Sequence, residues 1–217
     1  MTIGILLADD HGVMREGLRA ILEKQADFQV MGEAADGIQA VRETLAVRPH
    51  VVLMDINMPL LNGIEAARRI RQESPETQVI ILSMYASKEH VYQALSAGAR
   101  GYLLKESSSR LVAEAIRTVM AGERYLSPAI TDTMIDDYLL HRGQSGTASP
   151  WQDLSARERE VLQLVVEGKS SAQIAELLQL SASTVNTYRS RLMKKVGVDD
   201  LPALIEFAVQ NNIITRE

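Results

Sequence analysis

Apolar residues in the first part of the chain fall into two alternating patterns. Short continuous runs at 3–8, 28–31, 51–54, 79–82 and 102–104 read as buried strands. Between them, apolar residues recur at helical spacing: Met14, Leu18, Ile21 and Leu22; Ile38, Val41 and Leu45; Ile64, Ala67 and Ile70; Leu111, Ala115, Ile116 and Val119. Val91, Ala94 and Leu95 make a weaker stripe. Strands apolar on both faces, alternating with amphipathic helices, predict a parallel sheet covered by helices on both sides. The pattern changes near Gly122. From there to position 150 it predicts a linker with one short helix after Pro128, capped by Ser127, and then a Gly-, Ser- and Thr-rich stretch over 142–150. Residues 151–217 read as helix throughout. Ser155-x-x-Glu158 opens one helix as a capping box, Gly168 ends it, Ser181 caps a later one and Gly197 stops that. The predicted fold class is therefore α/β, a doubly wound five-stranded parallel sheet over 1–122, followed after the linker by a small all-α domain.

Composition narrows the function without deciding it. The chain has 217 residues and a formal net charge of -5, which argues mildly against nucleic acid as a partner for the chain as a whole. A locally basic domain can share a chain with an acidic one. There is no cysteine, so disulfides, thiolate metal sites and cysteine nucleophiles are excluded. No apolar run approaches the length of a membrane span, and the N-terminus lacks the charge pattern of a signal peptide, so the expected location is the cytoplasm with no membrane partner.

The chemistry concentrates at the carboxyl ends of the predicted strands, where open parallel sheets bind ligands. Asp9 and Asp10 follow the first strand and Asp55 follows the third. Clustered carboxylates repel one another unless a cation joins them, and hard oxygen ligands suit Mg2+, with the backbone carbonyl of Asn57 as a further oxygen. Ser83 and Lys105 end the fourth and fifth strands. A hydroxyl and an ammonium facing a carboxylate nucleophile are what a phosphoryl group needs. Singly, each has an ordinary reading: paired Asp residues often only cap a turn, and a lone lysine is usually solvated. Their joint placement at successive strand ends carries the inference. His11, His50, His90 and His141 show no ligand spacing and read as structural or surface residues.

Leu-Ala-Asp-Asp-His at 7–11, Leu-Met-Asp-Ile-Asn-Met-Pro at 53–59 with Asn62-Gly63, Ile-Leu-Ser at 81–83 and Gly-Tyr-Leu-Leu-Lys at 101–105 resemble the receiver domain of two-component response regulators. The resemblance covers about the first half of the chain and implies a flavodoxin-like sheet. It implies that Asp55 is the phosphoacceptor and that Asp10, Asp55 and the Asn57 carbonyl bind Mg2+, with Asp9 acting mainly through water. It also implies that Lys105 contacts the phosphoryl group, and that Ser83 hydrogen-bonds it while Tyr102 turns inward as the readout. Two departures stand out. Glu106 replaces a common proline, so a cis bond there is not expected, and Ser83 stands where threonine is common.

The helix predicted over 182–196 suits major-groove reading. Val185, Leu192 and Val196 form its packing side, while Ser183, Asn186, Thr187 and Ser190 form another face able to hydrogen-bond base edges. Arg189, Arg191, Lys194 and Lys195 are basic, and no acid lies between Glu176 and Asp199. Lys169 and the Ser170–Ser171 helix start offer phosphate contacts. A small helical bundle with a solvated basic helix fits the composition as well. The run from Leu154 to Leu162, Ile174-Ala175-Glu176-x-Leu178, the segment from Leu180 through Thr184 to Arg189, and Lys195-Val-Gly-Val resemble the LuxR-type (NarL/FixJ-type) helix-turn-helix. This implies base reading by Asn186, Thr187 and Ser190, backbone contacts from the basic residues, and dimerisation through the last helix, over about 201–209.

Together these features lead to a phosphorylation-controlled transcription factor whose partners are a sensor histidine kinase, double-stranded promoter DNA and, on activation, a second copy of the chain. Two other classes fit parts of the pattern. An aspartate-nucleophile phosphohydrolase would use Asp55, although Asn57 stands where such enzymes carry a second aspartate. A phosphate-independent DNA-binding protein would keep the first domain as a dimerisation scaffold. An RNA-binding output lacks an aromatic stacking platform over 150–217.

Overall fold

The computed structural model describes residues 2–84, 86–141 and 153–210. The chain divides into two units, Met1–Gln144 and Ser145–Glu217. The Gly-, Ser- and Thr-rich stretch expected over 142–150 lies outside the described residues, as does 211–217.

The first unit is built on strands β1 (Ile3–Ala8), β2 (Phe28–Ala34), β3 (Val51–Asp55), β4 (Gln78–Ser83), β5 (Gly101–Leu104) and β6 (Tyr125–Leu126). Helices α1 (Gly12–Leu22), α2 (Gly37–Val47), α3 (Gly63–Glu73), α4 (Lys88–Ala97) and α5 (Ser109–Met120) connect them, and α6 (Pro128–His141) follows. The sheet is entirely parallel, with strand order β2-β1-β3-β4-β5-β6. Its five long strands are the predicted ones. The sixth, two residues long, extends the sheet beyond the predicted five.

The continuous apolar runs have a direct cause. Successive residues of a strand point to opposite faces, and both faces are covered. Leu6, Ala8, Val52, Met54, Val79, Ile81, Tyr102 and Leu104 enter one core with residues of α2, α3 and α4. Ile5, Leu7, Val51, Leu53, Ile80, Leu82 and Leu103 enter the other, under α1 and α5. Each fully buried Leu or Ile contributes about 1.5–3 kcal/mol of transfer free energy.

The segment expected to begin a linker instead completes this unit. The Tyr125 N–H donates to the Arg100 carbonyl at 2.9 Å, and β6 pairs with β5. Ile130 of α6 is fully buried in the first core, which also holds Val91 and Tyr102, and Met134 packs on its margin. Lys88 of α4 pairs with Asp137 of α6 at 2.7 Å.

The loop after β3 is held by close backbone approach. A Cβ at Gly63 would lie 1.8 Å from the Asp55 carbonyl oxygen, and one at Gly37 would lie 1.9 Å from that of Leu61. Asn62 caps α3 by accepting the Glu65 N–H at 2.9 Å. Asn62-Gly63 therefore lets α3 begin directly against the end of β3. No cis peptide occurs among the described residues, in line with the expectation at Glu106.

The second unit contains α7 (Ala156–Val166), α8 (Ser171–Leu178), α9 (Ala182–Val196) and α10 (Leu201–Gln210). Capping boxes at Ser155–Glu158 and Ser170–Gln173 start α7 and α8, and Ser181 caps α9. Leu162, Leu164, Ile174, Val185, Leu192, Leu204 and Ala208 are buried. Gly197 ends α9 in the left-handed region, as predicted from its position.

Gly63→Ala should force the β3–α3 loop away from Asp55 and cost about 1–3 kcal/mol. Urea unfolding of the full chain would measure it, and an unchanged midpoint would contradict the close packing.

Candidate functional site

The strand order reverses direction between β1 and β3, and the carboxyl ends of these strands flank a crevice there. Asp9 follows β1 and Asp55 ends β3, both almost fully buried. Lys105, just beyond β5, reaches across to both: its Nζ lies 2.8 Å from Asp9 Oδ2 and 2.9 Å from Asp55 Oδ2. Apart from this ion pair, neither of those two buried oxygens has a hydrogen-bond partner. Asp10 is exposed at the rim.

The charges act strongly on one another. Burial pushes the Asp55 carboxyl up to about 6, against the pull of the Lys105 ammonium, and Asp9 adds to the rise. The Asn57 N–H opposes it by donating to the Asp55 carboxylate. Burial alone would lower Lys105, but Asp9 and Asp55 outweigh it and hold the ammonium above its ordinary value. One ammonium thus serves two carboxylates, leaving excess negative charge. Asp9, Asp10, His11 and Asp55 place ligand atoms within 4.8 Å of one another, an arrangement able to hold a metal ion.

Ser83 and Tyr102 lie beside this cluster. Ser83 ends β4, its carbonyl accepting the Lys105 N–H at 2.7 Å. Its hydroxyl shares a hydrogen bond with the Tyr102 phenol, and burial pushes that phenol up to about 12. Tyr102 is fully buried. The side chain expected to turn inward is therefore already inward in this structure.

In the second unit α9 presents Ser183, Asn186, Thr187 and Ser190 on an exposed face, and Arg191 and Lys194 are exposed as well. Val185 and Leu192 are buried as expected. Thr184 lies near the helix start, with its hydroxyl 2.8 Å from that of Ser181, and Ser183 is equally close to Ser181. The Thr187 hydroxyl donates to the Ser183 carbonyl at 3.0 Å. Lys169, just before α8, is half-buried. Arg189 is half-buried too and donates to the Ser171 hydroxyl at 3.1 Å.

Residues 5–117 match the family described as response regulator receiver domain. Residues 152–208 match bacterial regulatory proteins of the luxR family. The chain belongs to the response regulators with a luxR-family DNA-binding domain. It is 36% identical over 213 residues to oxygen regulatory protein NreC of Staphylococcus aureus (strain MRSA252), covering 97% of this chain and 98% of that one. A LuxR-family two-component response regulator from Aurantimonas sp. SI85-9A1 is 35% identical, with a TM-score of 0.62, over 64% of this chain and 99% of that one. The two-component response regulator RcsB in its complex with DNA is 25% identical, with a TM-score of 0.58, over 95% of this chain and 98% of that one. This response regulator is accordingly a phosphorylation-controlled regulator of transcription.

Two residues of the regulator's sites make contacts that the sequence did not show. His11, taken as structural or surface, joins the acid cluster: its Nδ1 lies 2.7 Å from Asp10 Oδ1 and 3.2 Å from Asp9 Oδ1. Its place directly after the Asp pair was the available signal. Lys195, expected at the DNA backbone, is exposed and also reaches α7, where Nζ lies 2.7 Å from Glu158 Oε2 and donates to the Asp153 carbonyl at 3.0 Å. Burial would raise Glu158, but Lys195 and the Ser155 hydrogen bonds outweigh it and hold its carboxyl below the usual range.

A carboxyl lowered in the folded state adds stability above its unfolded value and loses it as pH falls through the folded one. Lys195→Met should therefore cost about 1–2 kcal/mol near neutrality. The deficit should shrink on acidification as Glu158 protonates. Hydrogen exchange of the α7 amides at two pH values reads this, and a deficit independent of pH would rule out the ion pair as its source.

Proposed function

We propose that Asp55 accepts a phosphoryl group from the phosphohistidine of a sensor histidine kinase, and that this modification promotes pairing of two chains on promoter DNA. The observation that carries the reading is the buried Asp55 carboxylate held against Lys105, with Asp9 and Asp10 alongside. Mg2+ fits this site, because the available ligands are hard oxygens, two of them buried with only the shared Lys105 ammonium beside them, in a cluster short of positive charge. Asp9, Asp10 and Asp55, with the Asn57 carbonyl, would hold it. When bound it supplies the positive charge that lets a carboxylate and a phosphoryl group approach each other.

The chain's own residues account for the rest. An Asp55 carboxylate oxygen forms the new bond to phosphorus as the phosphorus–nitrogen bond of the phosphohistidine breaks. The departing imidazole keeps the electron pair and takes up a proton. Lys105 neutralises a phosphoryl oxygen by exchanging part of its contact with Asp55 and Asp9. Ser83 turns its hydroxyl from Tyr102 to the phosphoryl group. Since Tyr102 is already buried, the readout is the loss of its partner rather than an inward swing. A ligand shifts such an equilibrium only by binding one state more strongly. The phosphoryl group does so by offering Ser83 an acceptor other than Tyr102 and Lys105 an oxygen beyond those of the free carboxylates.

On the output side, α9 enters the major groove with Ser183, Asn186, Thr187 and Ser190 toward the bases. Thr184, Lys169, Arg191 and Lys194 lie toward the backbone, while Arg189 ties α9 to α8 and Lys195 ties it to α7. Exposed Leu201 and the half-buried Ile205 on α10 suit pairing with a second copy. Two chains would then occupy half-sites about 10 base pairs apart. The functional division follows as a receiver that includes α6 and a DNA-binding domain from about residue 151, acting in the cytoplasm.

Incubation with acetyl phosphate and Mg2+ should add one phosphoryl group to the intact chain and shift it toward dimer in sizing. Asp55→Asn should gain none. Phosphoryl gain in that variant, or none in the folded wild type, would refute the assignment and leave a constitutive DNA-binding regulator.

A further inference from the structure

The hydrogen bonds between α8 and α9 form a directed chain. Arg189 donates from Nη1 to Ser171 Oγ at 3.1 Å, and Ser171 Oγ donates to Asn186 Oδ1 at 2.7 Å. A guanidinium has no acceptor atom, so the first step runs only from Arg189 to Ser171. With its oxygen accepting there, the serine hydroxyl is left to donate its proton onward. The partner able to receive it is the carbonyl oxygen of the Asn186 amide. A charged donor at the head of the chain polarises the second bond and strengthens it.

The consequence falls on an exposed reading residue. The amide oxygen of Asn186 is turned toward α8, and its amino group occupies the other branch of the same planar group. A free asparagine pairs bidentately with adenine, giving an N–H to N7 and accepting from N6. That pairing needs Oδ1 outward. With Oδ1 drawn to Ser171, the exposed end of Asn186 is a donor of two N–H bonds. Guanine offers two acceptors, N7 and O6, and thymine offers O4; adenine offers N7 but sets its N6 donor against the second N–H, and cytosine offers only a donor.

We propose that Ser171 is a positioning residue for DNA specificity: together with Arg189 it fixes the Asn186 amide as a donor, so that this position prefers guanine, then thymine, over adenine. The inference rests on the DNA-binding reading of α9 and goes beyond it by naming a base class. Ser171 follows the capping residue Ser170, so its replacement leaves the Ser170–Gln173 capping box in place.

The test uses the full chain, treated with acetyl phosphate and Mg2+, and a pool of random-sequence DNA duplexes. Selection with Asn186→Ala first identifies the base position that loses its preference. There the wild type should enrich guanine or thymine over adenine by about tenfold, the size of one good base contact. Ser171→Ala frees Oδ1 and should move the preference toward adenine. Ser171→Thr keeps the hydroxyl and should restore the wild-type preference, which a general loss of folding would not allow. Adenine enriched by the wild type, or the same preference in Ser171→Ala, overturns the relay while leaving DNA binding intact. Enrichment of no duplex by the wild type would overturn the DNA-binding reading and the relay with it.

Discussion

Two carboxylates and one ammonium buried together at the end of a parallel sheet set the terms for the first domain. Removing charges from water is costly, and close pairing with additional ligands is what offsets it. Asp9 and Asp55 share Lys105, so neither acid is fully neutralised. Asp55 responds with a carboxyl raised to about 6 by burial, and Lys105 is held in its charged form. The neighbouring structure serves to keep these groups in place. Gly63 lets α3 start against the backbone of Asp55, the Arg15 guanidinium donates to the Asp9 carbonyl at 2.6 Å, and the sheet register puts Asp55 beside Leu82, next to Ser83.

The same constraint makes the site responsive. An arrangement already balanced in charge would gain little from an added group. Here, Ser83 bridges the charged cluster and Tyr102, which shares one core with Val91 of α4 and Ile130 of α6. A change in the partner of Ser83 is thereby a change in what holds Tyr102. Close-packed interiors pass such shifts on because they have few intermediate packings.

Much of this was legible in the sequence because the relevant signals are local and repeated. Runs such as Val51–Met54 show double-sided burial, and Ser155 and Ser181 mark two helix starts by capping chemistry. Asp9, Asp55, Ser83 and Lys105 were identifiable because strand ends in such a sheet converge. What escaped depended on contacts between distant segments. Tyr125–Leu126 is too short to show a strand period, and the helix expected after Pro128 has a weak apolar face, so its place in the core was not legible. Lys195 looked like its basic neighbours on α9. Only the approach of α7 commits it to Glu158. The direction of the Asn186 amide likewise depends on Ser171, fifteen positions earlier in the chain.

The short sixth strand bears on colloidal behaviour. An open strand edge presents unpaired backbone groups to any other chain, and proteins commonly keep edges short or covered. Here β6 pairs with Gly101 and Tyr102, and α6 then places Ile130 over the adjoining core. A receiver cut at Gly122 would end with β5 as a bare edge and an apolar hollow where Ile130 had been. Such a fragment would retain every charged residue of the phosphorylation site and still be prone to self-association, because its edge would be sticky rather than because its chemistry was impaired.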